Sequence, residues 1–436
     1  MNKLLAKIMV VLTISATGSA VAQEKISLRE SIGLALKNSQ VIQIANESVT
    51  GAEYRIKESR SLYFPQINVG GSYTRMSLFS EMEFAFLGQT YRFKFGLPNN
   101  YDIRASAVQQ VFNWGRTGKA IEMSRAGLDL ARDGVALTNQ MVAYQVVPLF
   151  YGVIFFREAI KVVDDNIKLF EKRLEIMTER YKAGLVSTFD LSTIEVQISM
   201  LRVQKIDFEN NIHKLSLTFN SLAGREPEAA FNPEGGLDSE EAGWNKDALL
   251  KEAEALRVEF AQLQHQESLS QAGIDLARTA NKPTVAFSFS YEFRNGYMPN
   301  MDTIRGNWSA LLSVSYPLFD GFRANAQVAQ AESALRTVQT RRADLQRSVA
   351  LEIETALADL QSTDQKLKIE QLKIKQAEDA LRIAEERYQR GLMSATDFVE
   401  SQNAVGSAKL NQLQLVYNHI LATYNLSRAA GKKIYE

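Results

Sequence analysis

Arg180-Tyr181-Lys182-Ala183-Gly184-Leu185-Val186-Ser187-Thr188-Phe189-Asp190 recurs as Arg387-Tyr388-Gln389-Arg390-Gly391-Leu392-Met393-Ser394-Ala395-Thr396-Asp397, a shift of 207 residues. Self-similarity at a fixed spacing settles the architecture before any single element is placed. The same shift carries Val111-Phe112-Asn113 onto Leu318-Phe319-Asp320, Arg116 onto Arg323 and Ala223-Gly224 onto Ala430-Gly431. Upstream the shift becomes 218, pairing Pro65 with Pro283, Ile67 with Val285, Ser72 with Ser290 and Tyr73 with Tyr291; the first copy therefore holds an 11-residue insertion between Tyr73 and Tyr101. Within each quoted stretch, Gly184 or Gly391 can take the left-handed conformation that ends a helix. Ser187 or Ser394 can cap the next helix, with Asp190 or Asp397 three residues on as its capping-box partner. Each copy reads as helix, two strands around a loop, very long helix, short turn, helix.

Upstream of the turns, apolar residues keep a seven-residue period: Val146, Val153, Ile160, Ile167, Leu174 and Tyr181, matched by Ile353, Leu360, Leu367, Ile374, Leu381 and Tyr388. Such a period sustained over five heptads marks coiled-coil packing. Positions three residues on are large in the first copy (Leu149, Phe156, Val163, Phe170, Met177) and mostly small in the second (Ala356, Thr363, Ala377, Ala384), so the two long helices are expected in unequal environments. From Arg116 to Arg180, or Arg323 to Arg387, a helix rising 1.5 Å per residue runs about 100 Å. No compact globular domain holds that length. Pro148, whose counterpart is Thr355, is expected to bend one helix along a curved wall or to be a tolerated irregularity.

Farther out, the strand regions alternate with period two. Val285, Phe287, Phe289, Tyr291 and Phe293 share one face, with Thr284, Ser288, Ser290, Glu292 and Arg294 on the other. Trp308, Ala310, Leu312, Val314, Tyr316 and Leu318 form a second such row, Ile67, Val69 and Tyr73 a third, and 102–112 alternate more weakly. Runs of about ten residues, apolar on one face and polar on the other, fit an outer-membrane barrel with a wet lumen. Four strands cannot close one, since roughly eight is the lower limit and an open edge in lipid leaves backbone groups unpaired. Other copies of the chain must complete it: two give eight strands and a filled interior, three give twelve and a bore.

Composition narrows the function. Fifty Lys+Arg balance fifty Asp+Glu in 436 residues, against a nucleic-acid binder. Cysteine is absent and only three histidines occur, which removes thiolate metal sites and Cys nucleophiles. His213, His265 and His419 lie singly on helical segments and read as solvated. Gly118-Lys119 lacks the remainder of a phosphate loop. No catalytic motif appears, so neither enzymatic activity, cofactor nor metal is expected. Lys3 and Lys7, an apolar block from Ile8 to Ile14 and Ala20-Val21-Ala22 read as a secretory signal over 1–22. No Cys follows it to carry a lipid anchor. Beyond it, no apolar run approaches the roughly 20 residues of a membrane-spanning helix.

The signal, the duplication, the paired R-Y-x-x-G-L-x-S-x-x-D turns and the Leu318-Phe319-Asp320-Gly321 junction together resemble the TolC-like outer-membrane efflux proteins, over essentially all of the mature chain. The resemblance implies a mixed α and β fold: long helices in a coiled-coil tunnel, and four strands per chain in a trimeric twelve-stranded transmembrane barrel. The expected segments are 23–62, a periplasmic helical stretch; 63–113, the first strand pair; 114–224, the first long hairpin; 225–243, an irregular girdle; 244–280, a second helical stretch; 281–320, the second strand pair; 321–430, the second hairpin; and 431–436, a tail. It implies a homotrimer in the outer membrane of a Gram-negative bacterium, in contact with its lipid, with most of its mass in the periplasm. It also implies docking of a periplasmic adaptor and an inner-membrane pump at a tip formed by Gly184, Leu185, Ser187, Gly391, Leu392 and Ser394. Around a symmetry axis, Asp397 and Glu400, one turn apart, would form carboxylate rings that favour cations. Asp190 and Tyr388 join them as gate residues. Met393 stands where a basic residue could hold the tip shut, so a polar lock on Asp190 would use Tyr388, Arg390 or another partner. The expected function is a passive exit duct for small toxic molecules. Export of polypeptides and a structural or adhesive envelope coiled coil are the alternatives.

Overall fold

Ser27 opens the first helix with a reciprocal cap: its hydroxyl accepts from the Glu30 amide at 3.3 Å and the Glu30 carboxylate accepts from the Ser27 amide at 2.8 Å. The structure, a computed structural model, describes residues 25–78, 80–237 and 243–435. The expected signal segment and part of the expected girdle lie outside them. Helices α1 (Leu28–Asn38) and α2 (Gln40–Ser61) lead into β1 (Gln66–Arg75), a hairpin of β2 (Ser80–Phe86) and β3 (Gln89–Phe95), and β4 (Asn99–Phe112). Helix α3 (Arg116–Lys182) and α4 (Thr188–Leu222) form the first long hairpin. The order then repeats as α5 (Lys246–Leu256), α6 (Val258–Ala277), β5 (Thr284–Arg294), β6 (Arg305–Ser315), α7 (Arg323–Gln389) and α8 (Ala395–Ala429).

Both α3 and α7 have 67 residues, and α3 runs through Pro148 as one helix. Both heptad stripes are buried in their upper halves, at Val146 and Val153 in the first copy and at Ile353 and Leu360 in the second. Val146, Val153, Phe170 and Met177 are almost fully enclosed, while the lower half of α7 leaves Ile369, Leu372 and Ile383 exposed. The positions three residues on are buried in both copies, at Val163, Phe170 and Met177 in α3 and at Ala356 and Ala384 in α7, so the two long helices differ in the bulk they enclose.

The core has three parts. One joins α1, α3 and the irregular stretch after α4, where Phe219 and Phe231 stack at 3.8 Å and Ile26 pairs with Pro233. A second gathers Leu249, Ile353 and Leu426 from α5, α7 and α8. A third, near the turns, holds Phe170 and Met177 of α3, Ile194 and Ile198 of α4 and Val399 of α8.

β1, β4, β5 and β6 form one antiparallel sheet in that order. Its register sets Val69, Ala105, Tyr291 and Trp308 in one row and Asn68, Ser106, Ser290 and Ser309 in the next. The apolar rows therefore share one face and the polar rows the other. Charges join the polar face near the end distant from the helices, where Arg104 bonds Glu292 at 2.6 Å. Among the described residues β1 and β6 are the free edges of this sheet. At the helical end, Phe112 with Trp114 and Phe319 with Phe322 make exposed aromatic pairs with centroids 5.3 and 5.6 Å apart. Such pairs suit a membrane boundary. Among the described residues no helix is long and apolar enough to cross a membrane.

Candidate functional site: the turns at the end of the long helices

The first turn begins where α3 runs out of partners for its last carbonyls. Gly184, at φ +75°, lets the Leu185 amide reach back to the Arg180 carbonyl at 2.9 Å while its own amide bonds that of Tyr181 at 2.9 Å. This doubly bonded ending needs a left-handed residue, and glycine takes that conformation without a Cβ penalty. The second turn repeats it: Gly391 is at φ +73°, Leu392 donates to Arg387 at 2.9 Å and Gly391 to Tyr388 at 3.1 Å. Leu185 and Leu392 are left pointing into solvent, 74% and 66% exposed.

The caps that follow differ. Ser187 accepts from the Asp190 amide, and the Asp190 carboxylate in turn takes bonds from the Ser187 amide and hydroxyl at 3.0 and 2.8 Å. Ser394 accepts from the Asp397 amide at 3.1 Å, but that return bond is missing. Among the described residues the Asp397 carboxylate has neither a hydrogen-bond nor an ion-pair partner, and Glu400, one turn along, is likewise exposed and unpaired. The sequence expectation of two complete capping boxes is thus corrected at the second turn.

Tyr388 points inward. Its ring stacks on Phe398 with centroids 4.9 Å apart and its hydroxyl donates to the Met177 sulfur at 2.8 Å. The Arg173 guanidinium sits over the Phe398 ring, 4.8 Å from its centroid, and pairs with Glu385. Burial pushes the Tyr388 hydroxyl above its ordinary pKa, the Arg180 charge opposes that and Asp190 reinforces it. Tyr388 is therefore a neutral donor at physiological pH. Within one chain it does not bond Asp190, whose carboxylate is occupied by Ser187. This Arg173, Glu385, Phe398 and Met177 cluster was not read from the sequence. Phe398 stands at the place of Leu191 in the first copy, and that departure from the repeat is the signal that marks it. Between the hairpins, Gln197 of α4 donates to Asn403 of α8 at 2.9 Å.

Of the histidines expected in solvent, His213 is exposed, whereas His265 lies 2.6 Å from Asp133 and His419 is buried with its Nε2 2.7 Å from Asp364. No grouping of metal-ligating side chains exists among the described residues.

A sheet apolar on one face, joined to two hairpins of helices far longer than a globular domain, defines an outer-membrane channel subunit. The outer membrane efflux protein model matches residues 31–225 and 249–432, and the chain belongs to that family. It is similar to the outer membrane protein TolC of Escherichia coli, 21% identical over 391 residues, covering 86% of this chain and 76% of that protein. It is also similar to the pyoverdine export outer membrane protein OpmQ of Pseudomonas aeruginosa, 23% identical over 402 residues, covering 91% and 83%. The fold matches the Campylobacter jejuni CmeC outer membrane channel with a TM-score of 0.74 at 16% identity, covering 93% of this chain and 85% of that one. The chain is an outer-membrane efflux channel protein with most of its mass in the periplasm. Its family is one of channels and not of enzymes.

Proposed function

We propose that three copies assemble into a twelve-stranded barrel continued by a helical tunnel, the passive exit duct of a tripartite pump that expels small toxic molecules. The observation that carries this reading is the four-stranded sheet with a free edge at β1 and at β6. Lipid tolerates neither edge, so the sheet must continue into other copies. Twelve strands leave a bore where eight would be filled by side chains. The pyoverdine export that names OpmQ supports a small-molecule cargo.

The turns are the docking end. Gly184, Ser187, Gly391 and Ser394 shape two tight turns that leave Leu185 and Leu392 exposed, and exposed leucines on such turns suit an apolar contact with a partner protein. The partners are a periplasmic adaptor and, through it, an inner-membrane pump. Asp397 and Glu400 line the narrowest part of the closed tunnel, with Asp190 and Tyr388 beside them in the gate. A conduit with these parts needs no cofactor and no nucleic acid.

Leu185→Asp with Leu392→Asp tests the docking end, because it adds charge to the contact face and leaves both glycines in place. The expected result is normal insertion with loss of export and of adaptor crosslinking. Full export by an inserted double variant would show that the turns are not the docking site.

A further inference from the structure

Residues 76–98 have no counterpart of equal length in the second copy, and the duct leaves them unused. β2 and β3 pair from Ser80 with Phe95 to Phe86 with Gln89, around a Leu87-Gly88 turn. β1 leaves the helices and β4 returns to them, so this hairpin stands off the opposite end of the sheet. With the helices in the periplasm, that end faces the cell exterior. Pairing Met82 with Phe93 and Phe84 with Tyr91 gathers one apolar face, while Glu83 and Arg92 pair on the other and bond at 2.5 Å. Met82, Phe84, Phe86, Tyr91 and Phe93 are each about half exposed, and Phe84 and Phe86 stack with centroids 6.3 Å apart.

Two observations say what covers this face. The first is that the hairpin extends β1 and β4, two strands that carry the apolar face of the sheet. In β4 the odd-numbered Tyr101, Ile103 and Ala105 share the rows of Tyr73, Phe293 and Tyr291. In β3 the odd-numbered Tyr91 and Phe93 carry the hairpin's own apolar face. The two legs stay joined between the sheets by the Met76 amide on the Pro98 carbonyl at 2.8 Å. The pairing of the two legs is offset by one residue between Arg75 with Asn99 and Ser80 with Phe95.

The second observation is backbone strain. Only three non-glycine residues among those described have positive φ: Leu87 at 51°, Trp114 at 53° and Phe322 at 63°. All three are large, apolar and exposed, Leu87 by 88%. Trp114 and Phe322 sit at the two strand-to-helix junctions, on the periplasmic boundary of the barrel. A two-residue turn of this kind takes Asn-Gly in water. Leu87 in its place, strained and bare, is matched to an apolar phase, like the other two.

We propose that the hairpin is a lipid anchor: the face carrying Met82, Phe84, Phe86, Leu87, Tyr91 and Phe93 lies in the outer-leaflet boundary beside the barrel. Amphipathic elements with aromatic residues on one face and charges on the other take this position at membrane surfaces. The anchor rests on the barrel reading above and not on the roles given to the turns.

The chain has no cysteine, so single nitroxide labels report without background. Phe86→Cys, Tyr91→Cys and, on the charged face, Glu83→Cys are labelled in the full-length protein, in phosphatidylethanolamine and phosphatidylglycerol vesicles. The ratio of oxygen to nickel-chelate accessibility is expected to be several-fold higher at 86 and 91 than at 83. Equal, nickel-accessible labels at all three would place the hairpin in water and overturn the proposal. Labels at 86 shielded from both reagents, with spin–spin broadening that vanishes on mixing with unlabelled chains, would mean that hairpins of several copies meet over the mouth. That result overturns it equally. The unsubstituted protein gives a label-free check if a variant fails to insert. Met82 and Met298 are comparably exposed in the isolated chain and both lie at the outer end of the sheet. Dilute peroxide should oxidise Met298 several-fold faster in vesicles, and equal rates would refute the anchor.

Discussion

Asp190 and Asp397 occupy equivalent places in the repeat, yet only Asp190 spends its carboxylate on its own cap. Asp397 keeps a free charge beside the free charge of Glu400, at the start of a helix whose serine already satisfies the cap. Asp397→Asn preserves most of the capping ability and deletes the charge, so stability should hold while conduction changes. Like charges brought round an axis attract cations strongly where water is scarce. Planar-bilayer recordings of Asp397→Asn with Glu400→Gln should therefore show weakened cation selectivity, with assembly unchanged. Unaltered selectivity would leave Asp397 as a cap alone. The spacing of glycine, serine and aspartate made both turns legible in the sequence, because those residue types at those offsets have one local use. The difference between the two caps was not legible, since it depends on how the Asp397 side chain is set and on Tyr388 turning inward onto Met177 and Phe398. His419 was misread for the same reason: a lone histidine on a helix shows no sign in sequence that another helix supplies Asp364.

At the scale of elements, the repeat preserves joints as well as helices. Gly224 and Gly431 end α4 and α8 at φ +59° and +76°, and a Cβ on either would come within 2.8 Å of backbone belonging to a helix break, at Asn38 or Arg257. Those breaks, between α1 and α2 and between α5 and α6, are themselves related by the upstream shift of 218. At the second joint the Arg257 side chain, 11% exposed, bonds Glu259 at 2.7 Å, Glu352 of α7 at 2.6 Å and the Ala429 carbonyl of α8 at 3.3 Å. Burial alone would raise the Glu259 carboxyl, but the guanidinium outweighs it and holds the group below its ordinary value of 4.5. Arg257→Met should thus destabilise the helical region by about 2 kcal/mol at neutral pH, below the 3–5 for a fully buried pair because both carboxylates keep partial access to water. A depressed carboxylate contributes stability above its unfolded pKa and loses it as pH falls through the folded one. The deficit of the variant should therefore shrink as pH falls below that ordinary value of 4.5, which denaturant unfolding followed by circular dichroism can check. A deficit independent of pH would assign the loss to packing. The long helices and the four barrel strands were legible because each keeps its period over many residues. The outer hairpin was read as an insertion only: its turn is Leu-Gly instead of Asn-Gly, and the usual sign of a two-residue hairpin is missing.

For the whole molecule, the question is what satisfies the two edges. β1 runs away from the helices and β6 runs toward them, so β1 of one copy can add to β6 of the next and keep the sheet antiparallel throughout. Within one chain these strands stand three spacings apart, about 14 Å, and a disulfide spans at most about 7 Å between Cα atoms. Any β1–β6 disulfide must then join different copies. The background is free of cysteine, so Asn68→Cys can be combined in turn with Asn307→Cys, Ser309→Cys, Leu311→Cys or Ser313→Cys, all on the polar face by the register. The scan covers the unknown stagger of the seam, since a closed barrel must offset its register. One pair is expected to crosslink efficiently in membranes and to give a ladder ending at three chains. The exposed stripes Val196, Met200 and Val203 on α4 and Ile369, Leu372 and Ile383 on α7 should lose solvent access on the same assembly. A ladder ending at two chains would mean eight strands and a filled interior, which cannot conduct. No crosslink at any register, in protein shown to be inserted, would remove the shared barrel and with it the duct.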